Sequence, residues 1–235
     1  MRSNKMGSNE IQEPSGESRI LAHTITARGI ECEISLDARK PAIEWASASP
    51  VTFCADWQGQ RADPARQTEV RVLWTPSTFY LRFVCRYRDI FIFDDSNPDG
   101  RRDELWDRDV AEAFLQPEPA RPRHYKEFEV SPNGMWIDLQ IGPDREFGDG
   151  RELKNLKSGL RRSVWIDQEQ RVWSAELAIP MRALTADFDA GTSWRANFYR
   201  VEGRHEPRFY SAWRATKTAQ PDFHVPGAFG RLEFR

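Results

Sequence analysis

The feature that most constrains the fold of this 235-residue chain is a series of short segments in which apolar and polar residues alternate. Residues 69–75 and 78–87 alternate in this way around the turn-forming sequence Thr75-Pro76-Ser77, which predicts a β-hairpin. A period of two places successive side chains on opposite faces of a strand, so one face of each strand can be buried. Further segments of this kind are 110–115, 125–130, 136–141, 164–167, 171–179, 194–200, 208–214 and 229–234.

Turn-forming residues separate these segments, as in Ser131-Pro132-Asn133-Gly134 and Asp189-Ala190-Gly191. Only residues 180–186, which begin with proline, predict a helical turn. Many short strands at near-regular spacing predict an all-β fold, a two-sheet antiparallel β-sandwich of jelly-roll or immunoglobulin-like type with at most short helical turns. Residues 1–18 are rich in Ser, Asn, Glu and Gly and predict a flexible leader, while 19–235 predict a single domain.

The charge balance narrows the classes of partner. The chain has 34 Lys and Arg against 36 Asp and Glu, and its basic residues are scattered singly, which favours neither nucleic acid nor an anionic membrane as a partner. The first residues lack the apolar run of a secretory signal, so we expect a cytoplasmic protein, or an extracytoplasmic one if its N-terminus is processed. Cys32, Cys54 and Cys85 have no metal-ligand spacing, and we expect Cys54 and Cys85 to be buried.

Three glutamates fall on two successive predicted strands. Glu112 shares a strand face with apolar neighbours, and Glu127 and Glu129 share a face on the next strand. A carboxylate among apolar groups needs a partner, which could be an arginine, a polar pocket or a ligand rich in hydroxyl groups. The three acids could therefore line a concave acidic face that accepts hydrogen bonds from sugar hydroxyls or ligates calcium. Ion pairs with arginines, or a solvated strand face, remain the alternatives.

Aromatic and amide side chains add candidate sugar contacts. Trp106 precedes a strand and is followed by three charged residues, so we expect it to be exposed. Trp213 and Asn197 lie on two strands nearer the C-terminus. Sugar rings present apolar C–H faces that stack on indoles, while their hydroxyls need polar partners. Trp106, Trp213, Glu112 and Asn197 thus predict a sugar-sized pocket, and burial in the core is the alternative for each tryptophan.

A second acidic cluster precedes Gly100. Asp94, Asp95 and Asp99 are carboxylates in a turn, which makes them candidate ligands for a structural calcium ion. Their spacing does not match an EF-hand loop, and a solvated acidic loop is the alternative.

Six motifs stand out in order along the chain: VLW (72–74) with YL (80–81), LWDRDVAE (105–112), YKEFEVSPNG (125–134), WSAELAIP (173–180), ANFYR (196–200) and GAFGRL (227–232). With these motifs, residues 43–235 resemble the family 9 carbohydrate-binding modules. Modules of that family are β-sandwiches that hold a sugar, often at the reducing end of a chain, between two tryptophans with polar side chains around the hydroxyls, and they often carry structural calcium. The resemblance implies binding of a mono- or oligosaccharide without catalysis, and a separate glycoside hydrolase as a candidate partner.

The resemblance also assigns roles to residues. Trp106 and Glu112 match the first stacking tryptophan and the hydrogen-bonding acid of the family, Trp213 is the candidate second tryptophan, and Asn197 is a candidate polar contact. Glu127 and Glu129 depart from the pattern, since they stand where such a sugar clamp is expected to carry Arg and Asn. The sugar-binding residues expected from sequence are thus Trp106, Glu112, Glu127, Glu129, Asn197 and Trp213.

Other function classes stay open at this point. Paired carboxylates, Glu112 with Glu127 or Glu129, could hydrolyse a glycosidic bond, although the sequence has no nucleophile elbow, zinc-type histidine cluster or phosphate loop. Haem binding between the sheets would have Met135 and His124 as candidate axial ligands. A protein-binding role is the remaining alternative.

Overall fold

A computed structural model describes residues 23–95, 100–143 and 151–235, and almost all of the regular secondary structure in these ranges is β-strand. One short helix, α1 (Met181–Leu184), and four short 3₁₀ turns accompany the strands in these ranges. The strands are β1 (Thr24–Gly29), β2 (Val51–Phe53), β3 (Thr68–Trp74), β4 (Thr78–Arg86), β5 (Val110–Gln116), β6 (Tyr125–Val130), β7 (Trp136–Pro143), β8 (Arg151–Asn155), β9 (Arg161–Asp167), β10 (Val172–Pro180), β11 (Trp194–Glu202), β12 (Phe209–Ala212) and β13 (Gly230–Phe234).

The strands follow one curled path in the order β8-β7-β6-β5-β11-β13-β1-β3-β4-β10-β9, with β12 beside β11 and β2 beside β3. We call β5–β8 and β11–β13 the front sheet, and β2–β4, β9 and β10 the back sheet. Strand β1 joins them, because it pairs with β13 on one side and with β3 on the other.

The main core lies between the two sheets. Phe83 of the back sheet meets Phe198 of the front sheet edge to face at 6.3 Å between ring centroids, and Phe79 stacks on Trp194 at 5.9 Å. These rings are buried, as are the alternate residues of β10 and β5 that face them. Because the core takes only every second residue, the other face of the front sheet is free to carry different chemistry.

The all-β prediction is confirmed, but the prediction of purely antiparallel sheets is wrong. Strand β1 runs parallel to both β13 and β3, with Ile25 opposite Leu232 and Arg28 opposite Leu73. Alternation specifies which face of a strand is buried, but it carries no information on the direction of its neighbours. The β3–β4 hairpin is present as predicted, closed by a backbone hydrogen bond from Thr75 N to Thr78 O.

Several other predictions can be compared with these coordinates. The helical turn predicted at 180–186 is present as α1 (Met181–Leu184). Cys85 is fully buried, Cys54 is partly buried and Cys32 is exposed, and none of them forms a disulfide. The leader predicted at 1–18 lies outside the described residues. Within the described ranges, no helix has the length and apolarity needed to cross a membrane.

Candidate ligand-binding cavity

The outer face of the front sheet forms the floor of a cavity of about 530 Å³. Small-molecule sites typically measure roughly 300–1,000 Å³, so this cavity is large enough for a small ligand. Its walls come from β11, β12 and the irregular segment that follows β12. The lining residues are Trp106, Glu112, Glu127, Glu129, Val201, Arg208, Tyr210, Pro221, Asp222, Phe223 and His224.

Strand register brings the three glutamates together. Glu112 on β5 lies directly opposite Glu129 on β6, and Glu127 lies two residues before Glu129 on the same face. The alternate residues Ala113 and Phe128 point the other way, into the main core. Directly opposed side chains in an antiparallel pair have Cβ atoms about 4.5–5.5 Å apart, so Glu112 and Glu129 lie side by side, and Glu127 is the next residue on the same face.

This carboxylate cluster is buried and poorly partnered. Glu112 and Glu127 are 2% exposed and Glu129 is 0% exposed. Both carboxylate oxygens of Glu129 lack a hydrogen-bond partner, as do Oε1 of Glu112 and Oε2 of Glu127. One oxygen from each of the three residues lies within 4.8 Å of the others. Buried acceptors are usually paired, so the oxygens of this floor are available to a proton or to a group that enters the cavity.

Three negative charges at this spacing oppose the folded state. At an effective dielectric constant of about 20, two unit charges 4.8 Å apart repel by about 3.5 kcal/mol, and three such pairs by about 10 kcal/mol. Folded domains are stable by only about 5–15 kcal/mol. Burial, followed by repulsion from Glu127, holds the pKa of Glu112 well above its usual range. The pKa of Glu129 is raised by burial and then by repulsion from Glu112 and Glu127.

Arg208 is a cation in the cavity wall, but its hydrogen bonds go elsewhere. Its Nε donates to Oε1 of Glu206 at 3.0 Å and to the hydroxyl of Tyr210 at 3.1 Å, and its Nη1 donates to the carbonyl of Trp106 at 2.9 Å. It lowers the pKa of Glu112 through space without forming an ion pair with it. Arg208 therefore fixes the rim of the cavity and leaves the cluster unneutralised.

Trp106 is held at the edge of the cavity by a short turn. It is the middle residue of a 3₁₀ turn, Leu105–Asp107, which precedes β5. Two residues after this turn, the buried carboxylate of Asp109 accepts hydrogen bonds from the backbone N–H groups of Phe91 and Gly203. Burial raises the pKa of Asp109 to about 6. Trp106 is partly exposed, as the sequence predicts, and it lines the same cavity as the three glutamates.

The second wall depends on Asn197 indirectly. Asn197 is fully buried, and its amide donates to the hydroxyl of Tyr199 at 2.7 Å and to the carbonyl of Arg214 at 2.9 Å. The Tyr199 hydroxyl in turn donates to the carbonyl of Phe223, and the Tyr199 and Phe223 rings stack at 4.2 Å. Asn197 therefore positions the wall residue Phe223 but does not itself line the cavity.

Trp213 also lies away from the cavity. Tyr210 pairs with Val201 on the outer face, so the odd-numbered residues that follow point toward the core. Trp213 packs on Phe198 at 5.6 Å and covers Gly230, where an added Cβ would come within 2.6 Å of the indole. The structure thus brings Trp106, Glu112, Glu127 and Glu129 together and places Asn197 and Trp213 outside the lining.

The acidic loop proposed for calcium is described only in part. Asp94 and Asp95 are exposed, and Asp95 forms an ion pair with Arg102 at 3.1 Å. Asp99 lies outside the described residues. Asp95 is thus exposed and already paired with arginine, whereas the glutamates of the cavity floor are buried and have oxygens without hydrogen-bond partners.

The two candidate haem ligands cannot serve one iron together. His124 immediately precedes β6, while Met135 follows the turn after β6. A strand rises about 3.3 Å per residue, so the two side chains are separated by about 20 Å. His124 lines a separate cavity beside Arg121. Met135 packs in a second apolar cluster, with residues such as Leu105 and Ile137, on the outer side of the front sheet.

Sequence reasoning missed Arg208, Tyr210, Phe223 and His224 as cavity residues. Tyr210 could have been found from parity, because it alternates with the predicted core residues of its strand. The segment 221–224 has no periodic pattern, so its place over the sheet follows from long-range contacts, such as those of Phe223 with Tyr199 and of His224 with Tyr125.

A family model described as carbohydrate-binding family 9 matches residues 54–234 of this chain. An extracellular protein of Arthroderma benhamiae is 28% identical over 181 residues, which are 73% of this chain and 80% of that protein.

Solved structures show the same fold at low sequence identity. A Bacteroides uniformis protein provisionally assigned as carbohydrate-binding has a TM-score of 0.70 at 16% identity, over 90% of this chain and 99% of its own. A family 9 carbohydrate-binding module of Caldicellulosiruptor kristjanssonii in complex with cellotriose has a TM-score of 0.61 at 13% identity, over 90% and 93%. The same kind of module with glucose has a TM-score of 0.60 at 11% identity, over 90% and 95%.

Proposed function

This chain belongs to carbohydrate-binding family 9, and from that premise we propose that it binds carbohydrate in the cavity over the outer face of the front sheet. The observation that carries the proposal is the lining itself. A partly exposed indole, Trp106, borders a floor of buried carboxylates whose oxygens lack hydrogen-bond partners. An aromatic face with unmet polar groups beside it suits a ring that is apolar on its faces and rich in hydroxyls at its edge.

Each wall contributes a distinct type of contact. Trp106 offers a stacking surface, and Tyr210 and Phe223 add two more aromatic rings, 6.1 Å apart in an edge-on arrangement. Glu112, Glu127 and Glu129 accept hydrogen bonds when ionised and can also donate when protonated. A group with many hydroxyls would satisfy oxygens that are otherwise left without partners.

The structural relatives indicate which sugars to test first. Modules with this fold bind glucose and cellotriose, so we propose mono- and oligosaccharides as ligands. The floor here is acidic, which favours neutral sugars over those carrying carboxylate or sulfate groups. Stacking on one aromatic ring contributes about 1 kcal/mol beyond area burial, so we expect affinities in the range of about micromolar to millimolar.

Calorimetric titration tests the proposal. Purified protein is titrated with glucose, cellotriose and a panel of oligosaccharides that have free or chemically reduced ends, with calcium present and absent. We expect saturable binding of at least one sugar. Loss of binding on reduction of the chain end would establish recognition of the reducing end. If no sugar of the panel binds, with or without calcium, a protein-binding role would be favoured instead.

Trp106→Ala locates the site. We expect this substitution to weaken sugar binding by roughly 5- to 150-fold, which corresponds to about 1–3 kcal/mol, with little change in the thermal midpoint. Trp165→Ala is the matched control, since Trp165 is a partly exposed tryptophan on the edge strand β9 of the back sheet. A large loss of stability in Trp106→Ala, or equal loss of binding in both variants, would argue against the assignment.

Glycoside hydrolysis is the second candidate, and one observation favours it. Retaining glycosidases place two carboxyl groups about 5–5.5 Å apart, and the glutamates here have oxygens within 4.8 Å of one another. The acid must also be protonated, which the raised pKa of Glu112 allows. Incubation with cellotriose and chromatography of the products separates the two functions. We expect no cleavage, whereas glucose release that is lost in Glu112→Gln would establish hydrolysis.

A further inference from the structure

The carboxylate cluster has the donor geometry of a cation site. Calcium binds oxygens at about 2.3–2.6 Å, so two ligands on opposite sides of one ion are about 5 Å apart. Glu112, Glu127 and Glu129 each place an oxygen within 4.8 Å of the other two, and a single ion can therefore contact all three. The three side chains come from two paired strands, which hold them more firmly than a loop would.

Their bonding state points to an outside partner. Glu129 is fully buried and both of its oxygens lack a hydrogen-bond partner, although it faces a cavity large enough to admit one. The cation in the wall, Arg208, makes its hydrogen bonds with Glu206, Tyr210 and Trp106. Buried carboxylates with neither a hydrogen-bond donor nor an ion-pair partner are typical of metal ligands.

The donor types select the class of metal. All three ligands are carboxylates, and the nearby histidine, His224, has its Nδ1 within 2.7 Å of the hydroxyl of Tyr125. Oxygen-only sites suit hard cations such as Ca²⁺, Mg²⁺ and Mn²⁺, whereas zinc and copper sites typically include nitrogen or sulfur. Calcium tolerates irregular geometry and takes about 6–8 oxygens. One oxygen from each of the three carboxylates leaves about half of these positions open. The remaining positions would face the open cavity.

We propose that Glu112, Glu127 and Glu129 hold a hard divalent cation, calcium in preference to magnesium or manganese, and that its open coordination positions take sugar hydroxyls. The second part rests on the carbohydrate binding proposed above. The cation offsets the three buried negative charges, and vicinal hydroxyls of a sugar replace the water that would otherwise complete its coordination. Trp106 at the cavity edge then stacks on the ring that the cation orients.

Cation binding is tested alone first. Protein stripped with EDTA and desalted is titrated calorimetrically with Ca²⁺, Mg²⁺ and Mn²⁺. We expect one Ca²⁺ per chain and at least a roughly 10-fold loss of Ca²⁺ affinity in Glu129→Gln, because one charged ligand is lost. Asp95→Asn is the matched control, since it removes an acid from the other candidate loop, and we expect it to bind as the unaltered protein does. Glu112→Gln is the second variant if Glu129→Gln does not fold.

Three results would overturn the cation site. These are no binding of any of the three metals at millimolar concentration, unchanged Ca²⁺ binding in both Glu129→Gln and Glu112→Gln, or loss of binding in Asp95→Asn, which would place the ion in the loop.

Sugar titration then separates the two proposals. We expect sugar affinity to fall at least about 10-fold in EDTA and to return with added Ca²⁺. Calcium binding without any sugar binding would retain the cation site and refute the carbohydrate proposal. Equal sugar binding with and without Ca²⁺ would retain carbohydrate binding and refute coordination of the sugar by the ion.

Discussion

Replacing Glu129 by glutamine should weaken an unusual pH dependence of stability in the cation-free protein. Glutamine keeps the shape of the side chain but cannot ionise. Burial and the neighbouring acids raise the pKa of Glu129 and of Glu112 above the ordinary value of 4.5. The folded state therefore holds protons that the unfolded state releases. The resulting stability is complete below about pH 4.5 and is lost as the pH rises through the raised pKa values.

The magnitude follows from proton linkage. Each such group lowers the free energy of unfolding by as much as about 1.4 kcal/mol per pH unit while the pH lies between its two pKa values. From pH 5.5 to 7.5, loss of this one titration should make Glu129→Gln gain up to about 3 kcal/mol relative to the unaltered protein, or up to roughly 6–12 °C in thermal midpoint for a domain of this size. Removing one charge also lowers the pKa of Glu112, which increases the gain.

Urea unfolding in EDTA at pH 5.5, 6.5 and 7.5, followed by tryptophan fluorescence, measures this difference. The groups facing the cluster, Asp107, Arg208, Asp222 and His224, are common to both proteins, as is Asp109 with its pKa of about 6, so to first order their contributions cancel. Glu118→Gln is the matched control, because Glu118 is an exposed acid paired with Arg121. Parallel stability profiles for Glu129→Gln and the unaltered protein would refute the reasoning.

Two further substitutions separate packing from ligand contact. Trp213→Ala should cost about 3 kcal/mol of stability, because the indole packs on Phe198 and covers Gly230, and it should leave sugar affinity intact in the folded fraction. Loss of sugar affinity at unchanged stability, seen by calorimetry and urea unfolding, would place Trp213 in the site after all. Asn197→Ala should lower the free energy of unfolding by about 2 kcal/mol or more. It should also weaken sugar binding, because it removes the hydrogen bond to the Tyr199 hydroxyl, which in turn positions Phe223. A variant as stable as the unaltered protein would contradict that role.

The sequence predicts well which face of each strand is buried, but it predicts poorly which strands pair with each other. The β3–β4 hairpin follows from alternation on both sides of Thr75-Pro76-Ser77, since the turn fixes the partner as well as the register. Strand β1 has no such turn to define its neighbours, and its parallel pairing with β13 and β3 brings together residues about 200 positions and 45 positions apart. That pairing depends on the assembled fold and not on a local pattern.

The same distinction explains the site. Glu112, Glu127 and Glu129 could be grouped from sequence because parity alone puts them on one face of two successive strands. Side-chain type and the family resemblance predict Trp213 as a sugar contact, although the parity of β12 favours Tyr210 as the outward residue. Phe223 and His224 lie in an irregular segment, and long-range contacts with Tyr199 and Tyr125 specify their position.

A sandwich of this kind allows the chemistry of its outer face to change without altering its core. Glu127 and Glu129 alternate with Phe128, which packs between the sheets, so acids can occupy the outer positions while the apolar layer stays the same. What limits such a change is the cost of burying charges that have no partner. Three glutamates within 4.8 Å of one another are compatible with a stable fold only if protons, a cation or a ligand offset that cost. The acidic floor therefore ties the stability of this protein to whatever occupies its cavity.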